Sequence, residues 1–379
     1  MKHTINNLAA LLPAVAAVIV SLLLSALSVQ AQTAPINVTT TAVPFLSISP
    51  DARSGGMGDM GLATGPDAWS GLHNGAKTPF ATDRTAIGVA YTPWLRDIVQ
   101  GMYLLSAAGY HQLDENQGLS ASLRYFNLGD VPISDYSGNK LSTSNPREYS
   151  FDLGYSRKLS GKFGLGLTAR YIRSDLGAGD IGGTPFKVAS AVSADLSMYY
   201  HGLNKEGEGW SGGLVISNLG SKVSYTNDAT AKDFLPANLG LGIGYTGVAN
   251  EDNKWTLSVE ANKVLVPAFP SDSAALQDYH MMSVMKSWSK SFKNSAYRFS
   301  AGGEYAYKGI VFLRIGYSAE TKQAGDLRYF TAGAGLKYST IGIDFSYLAS
   351  SGSGITRDPL SNTFRLGLSF AFPGDSKSH

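Results

Sequence analysis

The chain is 379 residues long, balances 31 Lys and Arg against 29 Asp and Glu for a formal net charge of +2, and contains no cysteine. The missing cysteine removes thiol catalysis and cysteine-type zinc sites, and so sparse and balanced a charge leaves no basic stripe for nucleic acid. Past the N-terminal segment no apolar run reaches the roughly 20 residues of a transmembrane helix, which excludes a multi-span helical protein and leaves a secreted soluble fold or a β-barrel.

Residues 1–31 read as a secretory signal peptide. Lys2 and His3 give a basic start, an apolar run extends from about Leu8 to Leu27, and Val29-Gln30-Ala31 supplies the small residues of a cleavage site before Gln32. A retained anchor is the alternative, because the run is nearly long enough to span.

Residues 32–83 lack strand periodicity. Ser49-Pro50-Asp51 predicts a helix start, with Ser49 at the N-cap and Pro50 at the first position, and Gly65-Pro66-Asp67 reads similarly. Short helices and turns ahead of a barrel predict a hatch or plug in the lumen; a loosely held periplasmic tail is the alternative. Gly56-Met57-Gly58-Asp59-Met60-Gly61 matches the dinucleotide fingerprint literally, with Asp83 near the acidic position. That motif needs a buried strand before it and a helix after it, so a glycine-rich turn with positive φ is expected instead.

From Arg84 onward, segments of about ten residues alternate apolar with polar or small side chains, the period of a strand with one greasy face. Leu119, Ala121, Leu123 and Tyr125 alternate with Ser120, Ser122 and Arg124; Leu239, Leu241, Ile243 and Tyr245 alternate with Gly240, Gly242 and Gly244. About fourteen strands are expected, starting near Arg84, Gly101, Gly118, Glu148, Lys162, Lys187, Gly209, Leu235, Lys254, Tyr297, Gly309, Tyr329, Ile341 and Thr363. Ten residues suit a tilted strand crossing a bilayer.

Alternation alone also fits a soluble sandwich. Connection lengths favour the barrel: tight at Leu159–Gly161, Tyr307–Lys308 and Ser339–Thr340, long at Asn127–Arg147, Ser174–Phe186, Leu219–Phe234, Lys263–Ala296 and Ala349–Asn362. Alternating short and long connections mark outer-membrane barrels, with short periplasmic turns and long external loops, and an even strand count predicts both termini in the periplasm. Tyr91, Tyr125, Tyr155, Tyr245, Tyr317, Tyr338 and Tyr347 fall near segment ends, as aromatic girdles do. The face opposite the greasy one carries Arg124, Asp152, Arg170, Asp195, Glu260, Arg298, Glu304, Arg314, Lys337, Asp344 and Arg365, six basic and five acidic. A lumen so balanced predicts ion pairs that fill and stiffen the interior rather than an ion-selective pore.

No catalytic residue, cofactor or metal is expected. Gly209-Trp210-Ser211-Gly212-Gly213 matches a nucleophile elbow, but a strand follows where that motif needs a helix, and His280 and His379 are poorly placed as partners. His73, His111 and His201 lack metal-ligand spacing. The Lys263–Ala296 loop is unusual: Phe269, Tyr279, Met281, Met282, Met285, Trp288 and Phe292 are either a surface for another protein or a loop packed on itself over the barrel mouth.

Pro44-Phe45-Leu46-Ser47-Ile48-Ser49-Pro50-Asp51-Ala52-Arg53-Ser54-Gly55-Gly56-Met57-Gly58-Asp59 and Tyr91-Thr92-Pro93-Trp94-Leu95-Arg96 resemble the opening segment and first strand of the PorV family, outer-membrane proteins of the Bacteroidetes type IX secretion system. The likeness extends in architecture over the whole mature chain. It implies a FadL-like barrel of fourteen strands with an N-terminal hatch, here built on Pro50, Asp51, Arg53, Gly56, Gly58 and Asn74. It implies a non-enzymatic shuttle that caps the translocon Sov/SprA, receives cargo through its C-terminal signal domain and passes it to PorU, PorQ and PorZ, amid outer-membrane lipids. Trp94, Leu95, Phe269, Tyr279, Met282, Met285, Trp288 and Phe292 are the candidate partner-binding residues. One departure is His73-Asn74-Gly75-Ala76-Lys77, where such barrels carry Asn-Pro-Ala; Gly75 in place of proline predicts a looser turn. A FadL-type transporter of hydrophobic small molecules is the second reading. A lipopolysaccharide O-deacylase, proposed for the family, is the third, with only the Ser211 pattern behind it. The expectation is an all-β, antiparallel up-and-down transmembrane barrel: 1–31 signal peptide, 32–83 hatch, 84–372 barrel, 373–379 periplasmic tail.

Overall fold

The computed structural model describes residues 38–95, 101–134, 140–177, 179–181, 184–228, 232–270, 272–351 and 363–374. The expected signal peptide and residues 375–379 of the expected tail lie outside them.

The alternating segments form strands. The first six are β1 (Thr85–Pro93), β2 (Met102–Gln112), β3 (Gln117–Leu128), β4 (Val131–Ser134), β5 (Lys140–Ser144) and β6 (Arg147–Lys158). Then come β7 (Phe163–Asp175), β8 (Gly179–Ile181), β9 (Thr184–Phe186), β10 (Ala189–Leu203), β11 (Gly209–Gly220) and β12 (Asn238–Asn250). The last six are β13 (Asn253–Val264), β14 (Tyr297–Tyr307), β15 (Val311–Glu320), β16 (Arg328–Tyr338), β17 (Ile341–Ser350) and β18 (Thr363–Phe372). Fourteen of them close an antiparallel barrel in sequence order; β4–β5 and β8–β9 are small hairpins within two long connections. The ring closes between its first and last strands, with Thr85 in register with Phe372 and Tyr91 with Leu366. Closure leaves no unpaired edge in the ring, the condition for a sheet to stand in lipid.

The outward row is apolar: Leu153, Val192, Leu313 and Phe330 are exposed, and Ile315 is 71 % exposed. An apolar belt of this extent belongs in a bilayer, not in water. The tyrosines singled out from the sequence share this outward row; Tyr91, Tyr155, Tyr338 and Tyr347 are exposed, and Tyr125, Tyr245 and Tyr317 half-buried. Among the described residues no helix is long and apolar enough to cross a membrane.

Where strand starts differ from expectation, local chemistry explains it. The strand expected at Leu235 begins at Asn238, because Pro236 has no N–H for the ladder and its carbonyl takes the Asn218 Nδ2 amide at 3.0 Å. The strand expected at Lys187 begins at Ala189, since the Lys187 amide bonds Tyr225 instead. The strand expected at Gly309 begins at Val311, because Lys308 and Gly309 turn with φ of 54° and 63°.

Residues 38–83 pack against the inward side of the ring. Two short helices form there, α1 (Ala52–Gly56) and α2 (Ser70–His73). The cap of α1 is Asp51, not Ser49: its Oδ1 accepts the Ser54 amide at 2.8 Å, while Ser49 Oγ meets Ser54 Oγ at 2.7 Å. The Thr39 amide donates to the Gln323 carbonyl and that of Ala42 to Phe234, both in connections at the long-loop end. Tyr110 and Gln112 bond the carbonyls of Asp83 and Ala81 at the short-turn end. The segment therefore runs from one mouth of the ring to the other. The even strand count sets both ends of the barrel at the short-turn side, but Val38 lies at the opposite mouth.

Candidate functional site

Small and polar inward side chains seat the N-terminal segment. A Cβ on Gly316 would stand 2.2 Å from the Gly58 nitrogen, and one on Gly213 would stand 2.1 Å from the Leu62 carbonyl oxygen. Only glycine admits backbone so close to the wall. Gly58 and Asp59 turn the chain there with φ of 74° and 62°, so the fingerprint-like glycines are a tight turn against β15.

Charges hold what the glycines admit. Arg53 donates to Glu304 and, at 2.7 Å, to Asp67. Arg314 bonds the same Glu304 and also Asp344, each at 2.6 Å. Arg365, 1 % exposed, pairs with Asp59 at 3.1 Å, and Asp59 Oδ2 accepts the Tyr329 hydroxyl at 2.6 Å. Glu260 accepts the amides of Gly61 and Leu62. Arg124 donates to the Leu46 carbonyl at 2.9 Å. Arg170 bridges Asp152 and Asp195 at 2.7 and 2.8 Å and also bonds Asn218. Of the eleven wall charges named from the sequence, Arg298 is half-buried opposite Glu320, and Lys337 reaches Asp83 at 3.4 Å near the short-turn end.

On the segment itself Asp51 and Asn74 were named from the sequence, but their partners and the buried Lys77 were not legible in it. Asp51 contacts His73 Nε2 at 2.7 Å. Burial pushes the Asp51 carboxyl up, but the His73 hydrogen bond and charge and the Ser54 bonds outweigh it and hold it below the usual carboxylate range. Lys77, 1 % exposed, donates to the Gly61 carbonyl at 2.7 Å, and burial brings its ammonium down to about 8. Asn74 bonds the carbonyls of Leu62 and Met198 and caps the Ala76 amide. These three bonds tighten the turn at Gly75 that the missing proline was expected to loosen. Pro50 lies buried just before the Asp51 cap.

The long connection between β13 and β14 folds into α3 (Ser273–Met281) and α4 (Val284–Ser291). Asp272 caps the first, accepting from Ala275, and Ser283 the second, accepting from Lys286. The apolar residues named in this connection divide. Tyr279, Met282 and Phe269 pack inward on Phe234 and Val266, with Tyr279 edge-on to Phe234 at 5.2 Å. Ser287 and Ser291 form the buried side of α4, their hydroxyls satisfied by the helix's own carbonyls at 2.7 and 2.6 Å. Met281, Met285 and Phe292 stay exposed, Met285 at 72 %, with Trp288 half-buried beside them. Trp94 and Leu95 are half-buried at the mouth, Trp94 against the cluster that holds Phe45 and Phe126, Leu95 against Tyr329 and Leu348. Between mouth and segment lies a cavity of about 430 Å³ whose lining mixes Phe45, Trp94 and Phe126 with Glu260, Arg298 and Tyr329.

Ser211 sits in β11 and donates its proton to the Ala63 carbonyl at 2.7 Å. His201, in register with it on β10, stacks on Phe80 at 5.1 Å. Among the described residues no imidazole hydrogen-bonds Ser211.

Comparison with solved structures finds the same barrel in proteins of low identity. The Ralstonia pickettii toluene transporter TbuX is 12 % identical with a TM-score of 0.53, over 85 % of this chain and 98 % of that one. The P. putida toluene transporter TodX is 13 % identical with a TM-score of 0.51, over 86 % and 99 %. The monoaromatic hydrocarbon channel CymD is 10 % identical with a TM-score of 0.55, over 89 % and 100 %. These likenesses establish the fold alone. No curated protein matches the chain. The model of the family described as type IX secretion system protein PorV matches residues 30–272, well over half the chain. The chain therefore belongs to the PorV family and is an integral outer-membrane β-barrel of the type IX secretion system.

Proposed function

We propose that this protein is a non-enzymatic shuttle. It docks on the translocon Sov/SprA, receives cargo through the C-terminal signal domain and hands it to the attachment complex of PorU, PorQ and PorZ. The long-connection end faces the cell exterior and both ends of the barrel, Thr85 and Phe372, face the periplasm, with a short tail at 373–379. Residues 32–83 act as a hatch that keeps solutes from leaking while the outer face works. Pro50, Asp51, Arg53, Gly56, Gly58 and Asn74 are its framework, and the paired wall charges are its anchor. The observation that carries the reading is the apolar surface left uncovered by Met281, Met285 and Phe292 along and just outside α3 and α4, on a connection that packs Tyr279, Met282 and Phe269 away. Gentle affinity purification from envelopes tests it: a very large barrel and secreted cargo should accompany the protein, and recovery of the protein alone would refute it.

The cavity above the segment favours one second reading, transport of hydrophobic small molecules. Its charged lining argues against a hydrocarbon ligand. Loss of long-chain fatty-acid uptake with normal secretion in a deletion strain would establish that reading instead.

A further inference from the structure

The outward row of β6 runs Arg147, Tyr149, Phe151, Leu153, and that of β7 runs Arg173, Tyr171, Ala169, Leu167. Both rows are aromatic and apolar through the depth of the bilayer and reach an arginine at the long-connection end. The register sets Arg173 opposite Tyr149 and Arg147 opposite Asp175. The two arginines are thus diagonal neighbours, about 7–8 Å apart along the sheet, and both are exposed. Like charges this close repel, and the single carboxylate on the row, Asp175 opposite Arg147, offsets only one of the two. Among the described residues neither guanidinium is within ion-pair distance of a carboxylate. Asp175, the acid on this row, is half-buried and accepts the Gly177 amide at 3.2 Å. The outer neighbours are neutral, Asn127 beside Arg147 and Ser190 beside Arg173. The short-turn end of β6 differs: Arg157 also points outward, but Asp114 and Glu115 stand in the adjoining turn.

We infer that Arg147 and Arg173 together bind the phosphate of a phosphorylated glycolipid in the outer leaflet. Two guanidinium forks match phosphate oxygens bidentately. The row continues without a break onto Phe151, Leu153 and, across β10, Val192, so an occupant held by the arginines also lies over apolar wall. That continuity selects a lipid-borne phosphate over a free anion. Tyr149 and Tyr171 stand at headgroup level, where amphipathic rings are at home. The inference rests on the orientation proposed above, with the long-connection end outside.

The test is native mass spectrometry of the full chain released from phosphatidylcholine nanodiscs containing bisphosphorylated lipid A. The wild type and Arg157→Ala should carry lipid A, and the Arg147→Ala/Arg173→Ala double variant at least about ten-fold less, with Arg147→Lys/Arg173→Lys between them. Lipid A stripped of phosphate should not be carried, and millimolar inorganic phosphate should not displace the intact lipid. Equal lipid A on the double variant, equal loss with Arg157→Ala, or displacement by inorganic phosphate alone would overturn the inference. Orientation is checked separately: the chain has no cysteine, so Asn227→Cys is a unique label site. Labelling by an impermeant reagent on intact cells upholds the orientation even if lipid A binding fails; no labelling there, with labelling in opened cells, overturns both.

Discussion

Arg53 donates through Nε and Nη2 to both oxygens of Glu304, each at 3.1 Å, across 251 positions of sequence. This fork ties the N-terminal segment to the barrel wall, and Arg314 holds the same carboxylate from the other side. Removing one partner of a buried pair costs about 3–5 kcal/mol because the other charge is left uncompensated. Arg53 is partly exposed, so Arg53→Ala falls at or below the low end. Glu304→Ala takes a shared carboxylate from two guanidiniums at once, leaving Arg53 with Asp67 and Arg314 with Asp344, and costs more. In planar bilayers the wild type should be silent, Arg53→Ala should open intermittently, and Glu304→Ala should open more often. Equal silence in all three would show that the fork does not hold the segment.

Gly316 tests the same contact by size. Valine there cannot coexist with the Gly58 backbone, so Gly316→Val should displace the Met57–Asp59 turn while leaving the outward face of β15 unchanged. The expected result is normal heat-modifiable migration of the barrel together with new protease cuts within residues 50–62. A folded barrel without new cuts would contradict the close approach.

The buried lysine makes the segment's stability depend on pH. Lys77 has a folded-state value of about 8 against 10.5 when free, so folding disfavours its charged form. The penalty is full below about 8 and is relieved as pH rises from about 8 to 10.5, the window in which the unfolded state binds more protons. Amide exchange in residues 52–80, corrected for intrinsic rate, should slow between pH 7.5 and 9.5 relative to strand amides. Lys77→Met should abolish that trend. Asp51 acts at the acid end: its lowered carboxyl contributes stability above the ordinary carboxylate value, which is lost as pH falls below it.

The strand pattern was legible because one face had to be apolar and the other had to accept a packed segment. The expected starts at Gly209, Tyr297, Ile341 and Thr363 coincide with the observed ones, and alternating connection lengths gave the ring its even count. The helices α3 and α4 were not foreseen, although Asp272 and Ser283 stand at their N-caps. Met and aromatic residues crowding that stretch masked its helical spacing. Nor could sequence divide Tyr279 and Met282 from Met285 and Phe292, since which side is covered depends on Phe234, 45 positions before Tyr279. Charge balance predicted ion pairs but not partners such as Asp59 and Asp67, which lie off the strands, on the segment.

That division makes a prediction about the outer face. Met285→Ser with Phe292→Ser should leave thermal unfolding within about 0.5 kcal/mol of wild type, as surface changes do. It should also sharply reduce the translocon recovered by affinity purification. Tyr279→Ala removes a buried ring and should cost about 3–5 kcal/mol locally, read as faster exchange in α3 and α4. Unchanged recovery with Met285→Ser/Phe292→Ser would move the docking surface elsewhere.

Cargo fate in a deletion strain tests the central claim most directly. The fraction of C-terminal-signal proteins in periplasm, surface and medium would be measured with and without the gene, and again with a wild-type copy restored. The account predicts that cargo accumulates in the periplasm without the gene and returns to the surface with it. Cargo secreted and anchored normally in the deletion strain would contradict it.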